Sequence, residues 1–163
     1  MPRINSVLVR LAVPDDVHQL ADLRWRLQTD DAEAIDDIEE RNRFVTEFAN
    51  SVMASFRDES LIHWVAEFDR RIVAVMSVEK VRKVPSPKSI SRHWGYLTNC
   101  YTLPEFRNTG IGSRLMSAVK DWATSQKYEF LAVWPSDRSY PFYERSGFHR
   151  YADPLILKID DKD

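Results

Sequence analysis

Two glycines set two residues apart, Gly110 and Gly112, stand where a strand-like run gives way to a helical pattern. No other feature restricts the fold as much. The run before them, Trp94-Gly95-Tyr96-Leu97-Thr98-Asn99-Cys100-Tyr101-Thr102, has the content of a strand, and Pro104 ends it. After them Ile111, Leu115, Ala118, Val119 and Trp122 recur on one face, with Arg114, Lys120 and Asp121 largely off it. This predicts a helix from about Gly110 to Gln126. Residues without side chains let backbone N–H groups approach a ligand closely. The first turn of a helix has N–H groups with no internal partner, and its dipole favours negative charge. The stretch therefore suits a phosphate or pyrophosphate, to which Ser113 adds a hydroxyl and Arg107 a charge. Tight strand-to-helix packing explains the same glycines equally well. The loop is not a Walker A loop, because no Gly-Lys-Ser/Thr ending exists. Nor is it a dinucleotide fingerprint, because Leu115 stands where the third glycine belongs.

The remaining elements follow from short-range pattern. Val7–Ala12 reads as a strand, and Pro14-Asp15-Asp16 suits a helix start that carries Val17, Leu20, Ala21, Leu23 and Leu27 at roughly helical spacing. Phe44, Val45, Phe48, Val52, Met53 and Phe56 predict a second helix from about Asp36 to Arg57. Leu61–Phe68 and Ile72–Glu79 form a hairpin around Asp69-Arg70-Arg71. Lys83–Arg92, with Pro85 and Pro87, reads as a surface loop. A strand at Phe130–Trp134, a short helix at Tyr140–Arg145 closed by Gly147, and a strand at Leu155–Ile159 complete the order. That order describes one mixed α/β or α+β layered domain over residues 1–163.

Composition removes several classes of function. With 23 basic and 25 acidic residues the net charge is -2, so the chain is no globally basic nucleic-acid binder. Cys100 is the one cysteine and has no internal disulfide partner. No stretch approaches the roughly 20 apolar residues of a membrane span. The start, Met1–Ser6, lacks the apolar core of a secretory signal. A cytoplasmic protein is expected.

Arg107-Asn108-Thr109-Gly110-Ile111-Gly112 resembles the Arg/Gln-x-x-Gly-x-Gly/Ala motif of the GNAT acyltransferase superfamily, and Tyr101–Phe106 looks like that family's lead-in. A second hallmark follows at a suitable distance, because Pro141–Phe148 resembles the family's Phe/Leu-Tyr-Glu-x-x-Gly-Phe segment. The matching region runs from Tyr96 to Phe148, about a third of the chain. Two positions depart from the pattern: Asn108 stands where glycine is common, and Thr109 where a basic residue is common. Asparagine tolerates left-handed backbone, so the turn survives. The missing basic side chain removes one phosphate partner.

The resemblance implies a GNAT-like layered fold with a central mixed, mostly antiparallel sheet flanked by helices. It implies acetyl-CoA as cosubstrate and no metal. The backbone of Cys100, Tyr101 and Thr102 is expected to meet the pantetheine arm and acyl group. The stretch Arg107, Asn108, Thr109, Gly110, Ile111, Gly112 and Ser113 is expected to bind the cofactor, its amides from Asn108 onward holding the pyrophosphate. Ser136 stands where a further cofactor contact is common, and Arg138 is within sequence reach of a phosphate. Tyr143 aligns with the tyrosine that serves the departing thiolate as an acid; an aromatic packed beside Phe142 and Phe148 is its plainer role. Cys100 is expected to matter for its backbone rather than as a nucleophile.

The expected activity is acetyl transfer to a primary amine, a small molecule ahead of a protein, by direct attack in a ternary complex. Alternatives are a protein N-terminal or lysine acetyltransferase, or a non-catalytic acyl-CoA-binding sensor. No nucleic acid or membrane partner is expected, and a homodimer stays open. Several groups compete for the role of base that frees the amine, namely Glu67, Glu79, His63 and His93. Tyr96, Asn99 and Tyr101 are candidates for the acceptor side, the last two sharing a face by alternation. The acidic run Asp30–Glu40 suits either attraction of a cationic amine or a solvated helix start. The basic residues Lys80, Arg82, Lys83, Lys88 and Arg92 surround the proline-containing loop and read as a solvated surface.

Overall fold

A computed structural model describes residues 6–29, 38–88 and 92–151. In chain order the elements are β1 (Leu8–Leu11), α1 (Val17–Thr29), α2 (Ile38–Asp58), β2 (Leu61–Phe68), β3 (Arg71–Arg82), β4 (His93–Thr102), α3 (Ile111–Ser125), β5 (Leu131–Ala132) and α4 (Tyr140–Arg145). The order is the expected one. The expected strand Leu155–Ile159 and residues 30–37 of the acidic run lie outside the described residues.

The strands form one sheet in the order β1-β2-β3-β4-β5. The first three pairings are antiparallel, and β4 with β5 is parallel. Between β2 and β3 the turn residues Asp69 and Arg70 both have positive φ, 48° and 62°, the conformation that matches the twist of a tight hairpin. Central β3 is buried from Ile72 to Val78, which is why its sequence is almost continuously apolar.

Helices cover both faces of the sheet. His63 and Trp64 are neighbours on β2 and so point to opposite faces. His63 meets Phe56 of α2, with ring centroids 6.1 Å apart, whereas Trp64 meets Trp122 of α3 at 6.4 Å. Helix α1 packs against β3 and β4, with Leu20 and Leu23 buried. Its start is fixed by Asp16, which accepts a hydrogen bond from the Val13 N–H (2.8 Å) and takes the Arg10 guanidinium through two more (2.7 and 2.9 Å). The Arg10 partner holds the Asp16 carboxyl below its usual range.

Two elements differ from the sequence reading. The β3–β4 ladder is longer than expected, reaching Arg82 opposite His93. The fifth strand is shorter: of Phe130–Trp134 only Leu131 and Ala132 pair, opposite Gly95 and Tyr96. Aromatic content marked extended chain but not pairing. Phe130 stacks on Trp94 (5.3 Å), Trp134 meets the Tyr96 ring edge-on (5.0 Å), and Pro135 has no N–H to continue a ladder.

Candidate active site

The chain leaves β4 through a 3-10 turn, Pro104–Phe106, and enters α3 through a second turn that contains two left-handed residues. Asn108 has φ 59° and Gly110, the N-cap of α3, has φ 85°. Asparagine and glycine are the residues that tolerate this conformation. Thr109 closes the turn by donating to the Phe106 carbonyl (2.6 Å) rather than facing a ligand. The first intrahelical bond runs from the Arg114 N–H to the Gly110 carbonyl (3.1 Å). The N–H groups of Ile111, Gly112 and Ser113 precede it and have no acceptor within the helix. Alternating left-handed residues followed by a helix start form a main-chain nest for an anion. Arg107 bends back instead: its Nε donates to the Thr102 carbonyl (2.9 Å), and its guanidinium lies 5.4 Å from the Tyr101 ring centroid.

Strand β4 parts from β5 after Tyr96, well before this turn. Among the described residues the edge facing β5 is paired only at Gly95 and Tyr96, so Leu97 to Thr102 carries no strand there. On its other edge β4 is bulged. Thr98 lies opposite Ser77 and Tyr101 opposite Val75, so β4 carries one more residue than β3 over this span. Asn99, with φ 50°, takes up the extra residue. Strict alternation therefore fails here: Thr98 shares the Val75–Ser77 face with Tyr101, and the Asn99 side chain turns to Ser77 as well.

Tyr143 of α4 is 7% exposed, and its hydroxyl faces the side chain of Cys100 on β4. Burial raises its phenol pKa, so the hydroxyl keeps its proton at neutral pH. Burial likewise pushes the Cys100 thiol up to about 11, the pKa of an inert thiol rather than a nucleophile. The Cys100 thiol also faces the Thr98 carbonyl at 3.5 Å. The ring of Tyr143 packs between Phe142 (5.2 Å) and Phe148 (5.5 Å), so packing and chemistry are both available to it.

The Asn99 bulge ends a buried polar chain. Asn99 Nδ2 donates to Ser77 Oγ (3.3 Å), which lies 2.7 Å from His63 Nδ1. His63 Nε2 lies 3.4 Å from Ser55 Oγ, and Ser55 donates to the Val52 carbonyl (2.7 Å). A carbonyl only accepts, so the Ser55 hydroxyl points at Val52 and accepts from His63 Nε2–H. Burial lowers the His63 pKa to about 4, so the ring is neutral and Nδ1 accepts from the Ser77 hydroxyl. This chain, with Ser55 and Ser77, was not read from the sequence. Its signal was Ser77, a hydroxyl in the apolar run Ile72–Val78.

The other candidates separate. Ser136 caps a 3-10 turn and donates to Ser139 Oγ (3.1 Å). Arg138 is exposed on that turn. Glu67 is taken by Arg10 (2.7 Å). Glu79 is exposed, opposite Tyr96 in the ladder. His93 stands six residues from Asn99, roughly 20 Å along the strand, against Tyr128. Lys83 pairs with Glu129 (2.6 Å) and Lys88 is exposed, as befits a solvated loop. Glu39 and Glu40 open α2 and are exposed. Among the described residues no group of three or more His, Cys, Asp or Glu could hold a metal ion, and no helix is long and apolar enough to cross a membrane.

A main-chain anion nest follows a strand whose far half has no neighbour on the β5 side among the described residues, and a protonated phenol lies beside Cys100 on that strand. The chain belongs to the acetyltransferase (GNAT) family, whose pattern it matches over residues 17–148. No curated protein sequence matches it significantly. Its fold is similar to several solved structures. One is a predicted acetyltransferase with acetyl-CoA from Clostridium acetobutylicum, at 22% identity and TM-score 0.77, covering 94% of this chain and 96% of that one. Another is glucosamine-6-phosphate N-acetyltransferase from Arabidopsis thaliana, at 17% identity and TM-score 0.68, covering 94% and 99%. A third is an aminoglycoside acetyltransferase from an uncultured soil metagenomic sample, at 15% identity and TM-score 0.70, covering 96% and 99%.

Proposed function

We propose that this enzyme transfers the acetyl group of acetyl-CoA to a primary amine of a small molecule by direct attack in a ternary complex. The observation that carries the reading is the β4 edge from Leu97 to Thr102, which pairs with no strand on the β5 side among the described residues and runs into the Gly110 nest with the Tyr143 phenol beside Cys100. The parts fit the cosubstrate. The edge of β4 at Cys100, Tyr101 and Thr102 that faces away from β3 meets no strand among the described residues, and the amides of a pantetheine arm would lie along it as an added strand does. The N–H groups of residues 108–113 suit its diphosphate.

Acetyl-CoA supplies a thioester carbonyl open to nucleophiles. The amine nitrogen forms a bond to that carbon, and the C–S bond breaks. A main-chain N–H at the bulge near Cys100 faces the carbonyl oxygen, where removing such a donor typically costs about 3–4 kcal/mol of barrier. Tyr143 gives its proton to the departing sulfur, and the proton that the nitrogen sheds on becoming an amide returns to the phenol through water. The amine must first lose a proton, and exposed Glu79 is the carboxylate on the β3–β4 ladder opposite Tyr96 that is free to take it through water. Cys100 takes no covalent part. The small-molecule reading draws support from the aminoglycoside and glucosamine-6-phosphate enzymes of the same fold. The reading fits a cytoplasmic enzyme, where acetyl-CoA is made available.

Thiol release from acetyl-CoA over a panel of primary amines tests the proposal, with Tyr143→Phe as control. Release with at least one small amine, lost in the control, is expected. Saturable acetyl-CoA binding with no release across the panel would instead favour a sensor, and release with peptide amines alone a protein acetyltransferase.

A further inference from the structure

Among the described residues, two arginines are partly buried, and they live differently. Arg10 is gripped by Asp16 and Glu67, with contacts of 2.7 Å to each. Arg24, half-buried on α1 near Leu20 and Leu23, has no hydrogen bond or ion pair among the described residues. The nearest acid on its helix, Asp22, is taken by Arg26 (3.0 Å) and Arg41 (2.7 Å). Its electrostatic neighbour is the phenol of Tyr96, and burial lowers its pKa. Tyr96 is the last β4 residue paired to β5, and its ring meets Trp134. Arg24 thus lies on the helix that packs against β4, near the residue after which β5 leaves the strand, and Tyr96 is three residues, or roughly 10 Å, up the strand from Asn99.

A half-buried guanidinium that reaches water and has no counter-ion among the described residues keeps its hydrogen-bond donors available to a ligand. A guanidinium fork matches the paired oxygens of a carboxylate or phosphate. We propose that Arg24 holds an anionic group of the acceptor, so that the preferred amines carry a carboxylate or a phosphate a short distance from the nitrogen. The proposal rests on the acetyl-transfer reading and names its substrate class.

Matched acceptor pairs test it: an amino acid against its amide, and an amino-sugar phosphate against the free amino sugar. Wild type should favour the anionic member of at least one pair by about 10- to 100-fold in kcat/KM, the span of a charged hydrogen bond. Which pair responds identifies carboxylate or phosphate. In Arg24→Gln that ratio should collapse toward one while the KM for acetyl-CoA holds. Equal use of both members by wild type, or a ratio that survives in Arg24→Gln, overturns the proposal. Melting of the free protein is the second readout. Arg24→Met should melt no lower than wild type, and a drop of several degrees would mean that the arginine has a structural partner. If acetyl-CoA binds but no amine reacts, the transfer reading fails. The arginine is then judged by whether the anionic acceptors raise the Tm of wild type but not of Arg24→Gln; equal effects on both would sink it.

Discussion

Acidification should weaken the fold through His63 in particular. The imidazole is 2% exposed, and its pKa falls to about 4 from the ordinary 6.5 because burial disfavours the charged form. The folded chain therefore holds no proton on His63 between those values, while the unfolded chain does. Stability from this residue is complete above about pH 6.5 and drains away as the pH falls toward 4. Each pH unit in that window is worth about 1.4 kcal/mol, so the whole gap amounts to roughly 3 kcal/mol. Protonation also turns Nδ1 from acceptor into donor, so the Ser77 hydroxyl has to give up its hydrogen bond to the ring and reverse. Urea unfolding of wild type and His63→Gln at pH 7.5 and 4.5 isolates the effect. The substitution has its own cost, but that cost is nearly constant with pH, and the carboxylates cancel. Wild type should lose roughly 2–3 kcal/mol more than the variant across this interval. Parallel losses in the two proteins would refute the directional chain and the neutral histidine within it.

Other substitutions separate the parts of the site. Tyr143→Phe should keep its Tm within a few degrees, since the ring contacts to Phe142 and Phe148 persist, yet slow turnover by about 10²-fold; an undiminished rate would reduce Tyr143 to packing. Cys100→Ala should retain most activity, because the thiol stays protonated up to about pH 11; loss of turnover with an intact fold would restore it as a nucleophile. Gly110→Ala meets no atom within 4 Å, so its cost is the strain of φ 85°, about 1–2 kcal/mol by chemical denaturation, and acetyl-CoA affinity should fall with it. Gly95→Ala would set a Cβ 2.6 Å from Leu131 and 2.7 Å from Val78, destabilising by about 1–3 kcal/mol at the rung that ties β5 to β4. A Tm equal to wild type would contradict that packing.

The helices and the hairpin were legible because each carries its own period. Leu61–Phe68 and Tyr140–Arg145 have the same bounds in sequence and structure, and α3 differs by a residue at either end. The nest was legible for a similar reason: Asn108 and Gly110 are residues whose backbone freedom is local and visible. What escaped depends on contacts between distant segments. The early departure of β5 is set by aromatic rings wedged against β4. The bulge at Asn99 depends on a register with β3 that no single strand encodes. The Ser55–His63–Ser77 chain joins residues 8 and 14 apart in sequence through α2, β2 and β3. Arg24 drew no notice in the sequence, because its lack of a partner among the described residues shows only once α1 is laid on the sheet.

A crystal structure of the protein grown with acetyl-CoA tests the central claim most directly. The account predicts the diphosphate seated on the N–H groups between Asn108 and Ser113, the pantetheine arm lying along Cys100 to Thr102, and its sulfur within hydrogen-bonding reach of the Tyr143 hydroxyl. A coenzyme bound on another face, or one whose phosphates are held by side chains away from the start of α3, would contradict it.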